Sequence, residues 1–360
     1  MQLRIHDRYL LRQYVKILLF SILAFVIIYV TVDVFEEIDN FIDHDAKTID
    51  ILEYYLYSVP FILTYIIPVS LLLGAVFSMG VMSRRNELTA LIASGISLIR
   101  IAAPILITAA LVSIGSAFFN DEVVAYANRK NSDIMRYKIE HQPPPPPGIK
   151  HNFHYLGADG FVYLARNYNN EAQTLYDVVI QQFDGNTLKR RIDARRAVWE
   201  DGVWTLNDGV ERIFDNDKES IRPFDEMKMP EIAETPSDFG KKEIRQDNMT
   251  YQELRDYIEK VRRSGGDVRR YLVDLYFKMS FPFAGSIFVL IGVAFASGKR
   301  KPSIATGFGV TLLISFLYYG VLRVGQTLGH NGVVPPLLAA QLGNIIFLGV
   351  GLVSLIRANR

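Results

Sequence analysis

The chain contains no cysteine, so no disulfide is available to brace any part of it, and the redox compartment cannot be read from thiols. It has almost no net charge, with 39 Lys and Arg against 38 Asp and Glu. No basic surface interleaved with aromatics stands out either, which removes the usual signature of a nucleic-acid binder. Metal-ligand spacing is missing among the six histidines, His6, His44, His141, His151, His154 and His330; His151 and His154 are close, but no third ligand is suggested. Nucleotide motifs are missing too. Residues 292–299 have the outline of a phosphate-binding loop, yet five residues separate the glycines, and Arg300 stands where Ser or Thr should follow the lysine. Asp238-Phe239-Gly240 matches a kinase triplet without its partner loop. With no nucleophile and base at plausible depth, the sequence reads as non-enzymatic.

What the chain has is long apolar runs. Residues 18–34, 51–81, 98–119, 272–296, 304–324 and 335–356 approach or exceed the roughly 20 helical residues that cross a hydrocarbon layer. Six such runs predict a six-span membrane protein, because a buried core helix accounts for one run and not for six. Basic residues set the orientation. Arg4, Arg8, Arg12 and Lys16 precede the first span, and Arg84, Arg85 and Arg100 lie between the second and third. Lys299, Arg300 and Lys301 separate the fourth from the fifth, and Arg357 and Arg360 end the chain. The opposite short loops hold only Lys47, so the positive-inside bias puts both termini in the cytoplasm and the large polar insert outside. The first run continues into Asp33, Glu36 and Glu37 without a small-residue cleavage pattern and is expected to remain as a signal anchor.

The expected fold class is α+β: two transmembrane halves, residues 1–119 and 267–360, flanking an external antiparallel β domain inserted between the third and fourth spans. A connecting helix and proline run, the latter at residues 143–147, fill 120–149 as a stiff spacer. Residues 150–249 carry short β-rich runs with Asp-Gly pairs at 159–160, 184–185, 201–202 and 208–209, the chemistry of tight hairpin turns. A sandwich or jelly roll is the expected result. Thr250 and Glu253 form a capping-box pattern opening a helix over 250–266, which Gly265 and Gly266 stop.

Four groups are candidates for function. Arg4, Arg8, Arg12 and Lys16 recur every four residues and make one basic stripe on a helix, suited to anionic headgroups or simple anchoring. The loop over 83–97 reads as a short amphipathic helix, capped by Ser83 or Asn86 and ended by Gly95, with Leu88, Leu91 and Ile92 on its apolar face. Arg84, Arg85 and Glu87 are exposed near its start, where a cytoplasmic partner or the lipid surface would meet them. Asp274 and Lys278, four residues apart, and Arg323 lie near outer ends of spans, where charge usually faces a cavity, a partner or the interface. The acidic stretch after the first span, including Asp33, reads as a solvated face.

In Asp7-Arg8-Tyr9, residues 68–74 (PVSLLLG), Arg85-Asn86-Glu87-Leu88, Ala93-Ser94-Gly95, Arg270-Tyr271, Lys278, Pro282 and residues 332–336 (GVVPP), the chain resembles the LptF/LptG family, over nearly its full length. These are the permease subunits of the lipopolysaccharide-export ABC transporter, and the last motif is more LptG-like. The resemblance implies a multi-pass protein of the Gram-negative inner membrane with a periplasmic β-jelly roll. It would pair with a second six-span subunit and a cytoplasmic ATPase dimer, ATP and Mg being held by those partners and no cofactor by this chain. Lipopolysaccharide would be extracted and passed to periplasmic jelly-roll bridge proteins. Arg84, Arg85, Asn86, Glu87 and Leu88 would then contact the ATPase. With the first and fifth spans forming a lateral gate, Tyr29, Asp33, Phe316, Arg323 and Lys278 become candidates for lipid contact. Asp33 departs from relatives that carry a basic residue at the outer end of the first span, so phosphate binding there would need a bridging cation or a positive charge from the partner subunit. A membrane-anchored periplasmic scaffold is the alternative.

Overall fold

The computed structural model describes residues 5–142, 148–157, 160–184, 187–215, 218–240, 246–263, 266–298 and 303–358. Arg4, the proline run, Asp159, Gly185, Gly265, the basic triplet Lys299-Arg300-Lys301 and Arg360 lie outside them. The chain divides into a helical unit, residues 1–142 with 272–360, and a β unit, residues 143–271.

The N-terminal half of the helical unit contains α1 (Ile5–Asp43), α2 (Thr48–Arg84), the short α3 (Glu87–Ala93) and α4 (Leu98–Phe119). Through a π-turn at Asn120–Val124, α4 continues without a break into α5 (Ala125–Ile134) and a second π-turn at Met135–Ile139. The expected interfacial helix is thus the beginning of α1, and the expected polar connecting helix is the far end of the third span.

The β unit holds β1 (Ile149–Leu156), β2 (Phe161–Asn169), β3 (Thr174–Asp184), β4 (Thr187–Glu200), β5 (Val203–Asp215) and β6 (Lys218–Met229), followed by α6 (Pro236–Gly240) and α7 (Tyr251–Arg263). The chain then enters α8 (Arg269–Ser280), α9 (Ala284–Ala296), α10 (Ile304–His330) and α11 (Pro336–Ala358). Among the described residues, six helical segments are long and apolar enough to cross a membrane: α1, α2, α4 with α5, α8 with α9, α10 and α11.

Burial among the spans is uneven, and the sequence shows why. Within an apolar 18-residue stretch of each span, 72% of the residues are buried in α8–α9 and 56% in α2, against 11% in α1 and 22% in α10. Helices α2 and α9 approach closely because Gly285 and Gly292 face Leu71 and Leu72, where an added Cβ would lie 2.5 and 2.9 Å from the leucine methyls. Pro282, with no N–H to offer the Lys278 carbonyl, breaks the fourth span into α8 and α9, and the Ser280 carbonyl lies at this break. Asn344 of α11 donates its amide to that carbonyl at 2.9 Å and accepts the Tyr318 hydroxyl at 2.8 Å. Inside an apolar bundle a released backbone carbonyl needs such a partner.

The β insert is present as one six-stranded antiparallel sheet in the order β1 to β6, a meander of successive hairpins. Its connectivity is simpler than the Greek-key crossovers of a two-sheet jelly roll. The β-rich runs 188–194 and 197–200 merge into β4, and 203–206 and 210–214 into β5, while β1 and the charged edge strand β6 carry no strong apolar alternation and escape sequence reading. Asp201-Gly202, with φ of 51° and 79°, makes the expected two-residue turn between Glu200 and Val203.

Asp208-Gly209 does something else. Asp208 sits inside β5 at φ 53°, and so do Asn152 in β1 (49°) and Asp177 in β3 (48°). The strand registers bring Asn152, Arg166, Asp177, Arg195, Asp208 and Asp225 to one level, and the ladder skips that rung in every strand pair. All six residues are exposed. Across this row the buried face shifts phase: Ala165 is followed by Tyr168, Leu175 by Val178 and Ala194 by Ala197, three residues apart where a flat strand needs two. One extra residue per strand, at the same level in all six, bends the whole sheet along a crease while leaving its register intact. Gly209 fits the crease because a Cβ there would strike the Phe224 ring and the Asp193 carbonyl oxygen at 2.4 and 2.6 Å.

The two arms of the bent sheet close on Phe239, which is fully buried. Phe153, Tyr155 and Tyr163 from one arm and Tyr168 and Trp204 from the other place their rings 4.9–5.8 Å from its ring. The Asp-Phe-Gly triplet is therefore structural. Asp238 caps its own turn by accepting from the Thr235 backbone N–H and hydroxyl, and Phe239 fills the core. The capping box at Thr250 and Glu253 forms as expected, and Leu254, Ile258 and Val261 of α7 are buried.

Candidate functional site

The strongest cluster of sequence-predicted residues lies around α3. Helix α2 ends at Arg84, a two-residue turn follows, and Asn86 takes the left-handed conformation (φ 61°) that lets α3 start at once. The Asn86 side chain makes no capping bond to α3, so the helix start rests on this backbone turn. Gly95, at φ 85°, ends the helix, its N–H donating to the Ile92 carbonyl at 2.9 Å while the Ile96 N–H returns to Leu91. Leu88 is buried in the core shared by α1, α2, α4 and α9, and Leu91 packs against that core; Ile92, expected on the same face, is exposed. Arg84 is half-buried, whereas Arg85 and Asn86 are exposed. Arg85 lies 3.9 Å from Glu87 and donates to the Tyr9 hydroxyl at 3.3 Å.

Beside α3, the first turns of α1 complete an apolar cleft of about 590 Å³ lined by Ile5, His6, Tyr9, Met82, Glu87, Ala90 and Leu91. Arg8, Arg12 and Lys16 are exposed along one stripe of α1, while Asp7, Leu10, Tyr14 and Leu18 are buried on the other. A helix of this kind presents cations on one face and packs the other into the bundle. Sequence reading singles out Asp7 only within Asp7-Arg8-Tyr9 and names no partner for it. Asp7 accepts from both terminal nitrogens of Arg100, each at 3.0 Å, with His6 Nε2 at 3.1 Å.

The outer candidates fall into separate places. Tyr29 and Asp33 are one turn apart on α1, with Tyr29 exposed and Asp33 half-buried. Phe316 is 73% exposed on α10, and Arg323, also exposed, donates to Gln326 at 3.1 Å on its own helix. No hydrogen bond or ion pair among the described residues joins the α1 pair to the α10 pair. On α8, Asp274 reaches His330 at the end of α10 at 2.9 Å, a tie between the fourth and fifth spans that the acid-first spacing with half-buried Lys278 does not reveal.

In the β unit the inner face is closed by its own chain. Tyr163 donates to the Glu234 carboxylate at 2.7 Å, Trp204 to the Glu234 carbonyl at 2.8 Å and Tyr168 to the Pro236 carbonyl at 2.9 Å. Burial pushes the Tyr155 and Tyr168 phenols up to about 12, and raises Tyr163 further with the help of the neighbouring Glu234 charge. Among the described residues, no group of three His, Asp or Glu side chains is arranged to hold a metal ion.

A bundle of six apolar helices, interrupted by a bent β sheet and bearing a short helix between its second and third spans, is the architecture of a multi-pass membrane protein. Residues 8–357 match the family described as lipopolysaccharide export system permease LptF/LptG, and the chain belongs to that family. It is 25% identical over 315 residues to the lipopolysaccharide export system permease protein LptG of Escherichia coli K12, covering 84% of each chain. The LptG of Haemophilus influenzae Rd is 23% identical over 286 residues, 78% of each.

Proposed function

We propose that this chain is the LptG-type permease of an inner-membrane transporter that draws lipopolysaccharide out of the bilayer using ATP hydrolysed by partner subunits. Both termini face the cytoplasm and the β unit faces the periplasm, as the basic-residue bias requires. The observation that carries this reading is the surface around α3: an apolar cleft, buried Leu88 and exposed Arg85 beside Glu87, the chemistry by which one protein seats on another. A cytoplasmic ATPase dimer docks there, supplying ATP and Mg, while this chain holds no cofactor. The poorly buried apolar faces of α1 and α10 support pairing with a second six-span subunit and entry of lipid between the two, past Tyr29, Asp33, Phe316 and Arg323. Lipid then leaves toward periplasmic β bridge proteins.

The test is to purify the chain with its co-expressed partners, reconstitute the complex with lipopolysaccharide, and place photocrosslinkers at Tyr29, Phe316 and, in the β unit, Trp199. Crosslinks to lipid at Tyr29 and Phe316 that require ATP are the expected result. A stable partner complex that captures no lipid with ATP would overturn transport in favour of a scaffold.

A further inference from the structure

Helix α1 is held to the rest of the bundle in a lopsided way. Its buried side chains are Asp7, Leu10, Tyr14, Leu18 and Ser21, and then none until Phe41. The intervening stretch carries exposed Leu23, Ile27, Ile28, Tyr29, Val32, Phe35 and Ile38. One end is anchored, the other returns to the bundle at Phe41, and the stretch between leans on that second core only through half-buried Val30 and Val34.

The anchored end is tied to the flanks of α3. Immediately before α3, Arg85 donates to the Tyr9 hydroxyl at 3.3 Å. Immediately after it, Arg100 in the first turn of α4 grips both oxygens of Asp7 at 3.0 Å each. Between the two ties, Leu88 of α3 shares one core with Leu10, Tyr14 and Leu18 of α1. The Asp7 carboxylate is 1% exposed, so removing its partner leaves a charge buried. The paired nitrogens also fix geometry, which a single contact cannot do. Residues 5–43 contain neither proline nor glycine, so nothing in the sequence invites a kink. A displacement at Asp7 is carried along the helix to Asp33, about 39 Å away at 1.5 Å per residue.

We propose that Asp7 and Arg100 are positioning residues that make α1 move as one body with α3, transmitting what happens at the α3 surface to the sparsely buried stretch of α1 between Leu23 and Ile38. This rests on the docking of an ATPase at α3. The ion pair touches neither lipid nor nucleotide; its role is to keep the two helices in register when α3 is pushed.

The test uses the full complex with lipopolysaccharide in vesicles. Asp7→Asn and Arg100→Gln should keep ATP hydrolysis within about twofold while ATP-dependent lipid capture falls about tenfold, the size of an ordinary coupling free energy. The charge swap, Asp7→Arg with Arg100→Asp, should restore capture if the pair itself matters. Because the chain has no cysteine, spin labels can be placed at Thr89→Cys and Ile28→Cys, both exposed sites. Their separation should stay fixed between ATP states in the native background and change in Arg100→Gln. If Asp7→Asn fails to assemble, the swap and the label distance decide. Lipid capture that tracks hydrolysis in every variant, or a label distance indifferent to Arg100→Gln, would overturn the link. A native complex that binds the ATPase yet moves no lipid would instead overturn the transport reading, while the label distance still judges the link.

Discussion

The two units bury their apolar surface in opposite directions. In the β unit the sheet is bent so that both arms face inward onto Phe239, and its crease residues are all exposed and polar or charged. In the helical unit the sealed part is the contact of α2 with α9, while α1 and α10 keep Leu23, Ile27, Phe316 and Leu317 on the surface. The difference follows from the solvent. In water, exposed apolar area costs about 25 cal/mol per Å², so the sheet must close on itself. In a bilayer the same area costs nothing against acyl chains, and helices can leave whole faces for lipid or a partner. Close packing in the helical unit therefore marks scaffold, and loose packing marks surface available for work.

The largest effect that would break this comparison is functional. Glu87→Arg, at the rim of the α3 cleft, should abolish coupling to the ATPase, with lipid capture falling to background in the reconstituted complex. Unchanged assembly and turnover would remove α3 from the mechanism. Next comes stability. Phe239→Ala should cost about 3–5 kcal/mol, as large-to-small changes in a tight core do. Phe316→Ala should shift stability by less than about 0.5 kcal/mol, because a surface side chain leaves no cavity. Denaturant titration of the purified chain separates the two when the β unit is followed by tryptophan fluorescence, since Trp204 packs on Phe239 at 5.3 Å, and the spans by helical ellipticity. Equal losses would mean that the α10 face is as constrained as the β core.

The crease offers a smaller test. Asp208 tolerates a left-handed backbone as Asn and Asp do, and a β-branched residue does not. Asp208→Val should cost about 1–2 kcal/mol, and Asp208→Gly should be neutral or slightly stabilising, read from the same fluorescence transition. Equal behaviour of Val and Gly would mean that the sheet does not depend on the bend.

How far the sequence discloses all this depends on how local the cause is. A span is declared by its own residues, and so is a capping box, so the six apolar helices and the start of α7 were legible. A two-residue turn is local as well, yet Asp-Gly marks a hairpin at 201–202 and a crease at 208–209, because both need positive φ and only the neighbouring strands decide which. The crease becomes visible only once Asn152, Asp177 and Asp208 are aligned by register. Around α3, Arg85, Glu87 and Leu88 stand out by position in a short loop. Asp7 stands out only as part of a motif and Arg100 reads simply as one more basic loop residue, and their pairing, across 93 residues, is not legible. Likewise, His330 and Asp274 meet only in the folded bundle.

The mildest prediction sharpens the comparison through pH. A buried phenol resists ionisation, and Tyr155 and Tyr168 in the β unit titrate at about 12 in the folded chain, against about 10 when unfolded. Below pH 10 both states hold the proton, so the stabilisation is fully present. Between 10 and 12 the unfolded chain releases protons that the folded chain keeps, and stability falls with rising pH. The β unit should therefore lose its near-ultraviolet circular dichroism in this window as tyrosinate absorbance appears, with helical ellipticity retained by the spans. Tyr155→Phe keeps the ring against Phe239 and removes one titrating group, so the loss should become shallower. A transition of unchanged steepness would mean that Tyr155 ionises without unfolding the sheet, and that the trough around Phe239 is more open to water than its packing implies.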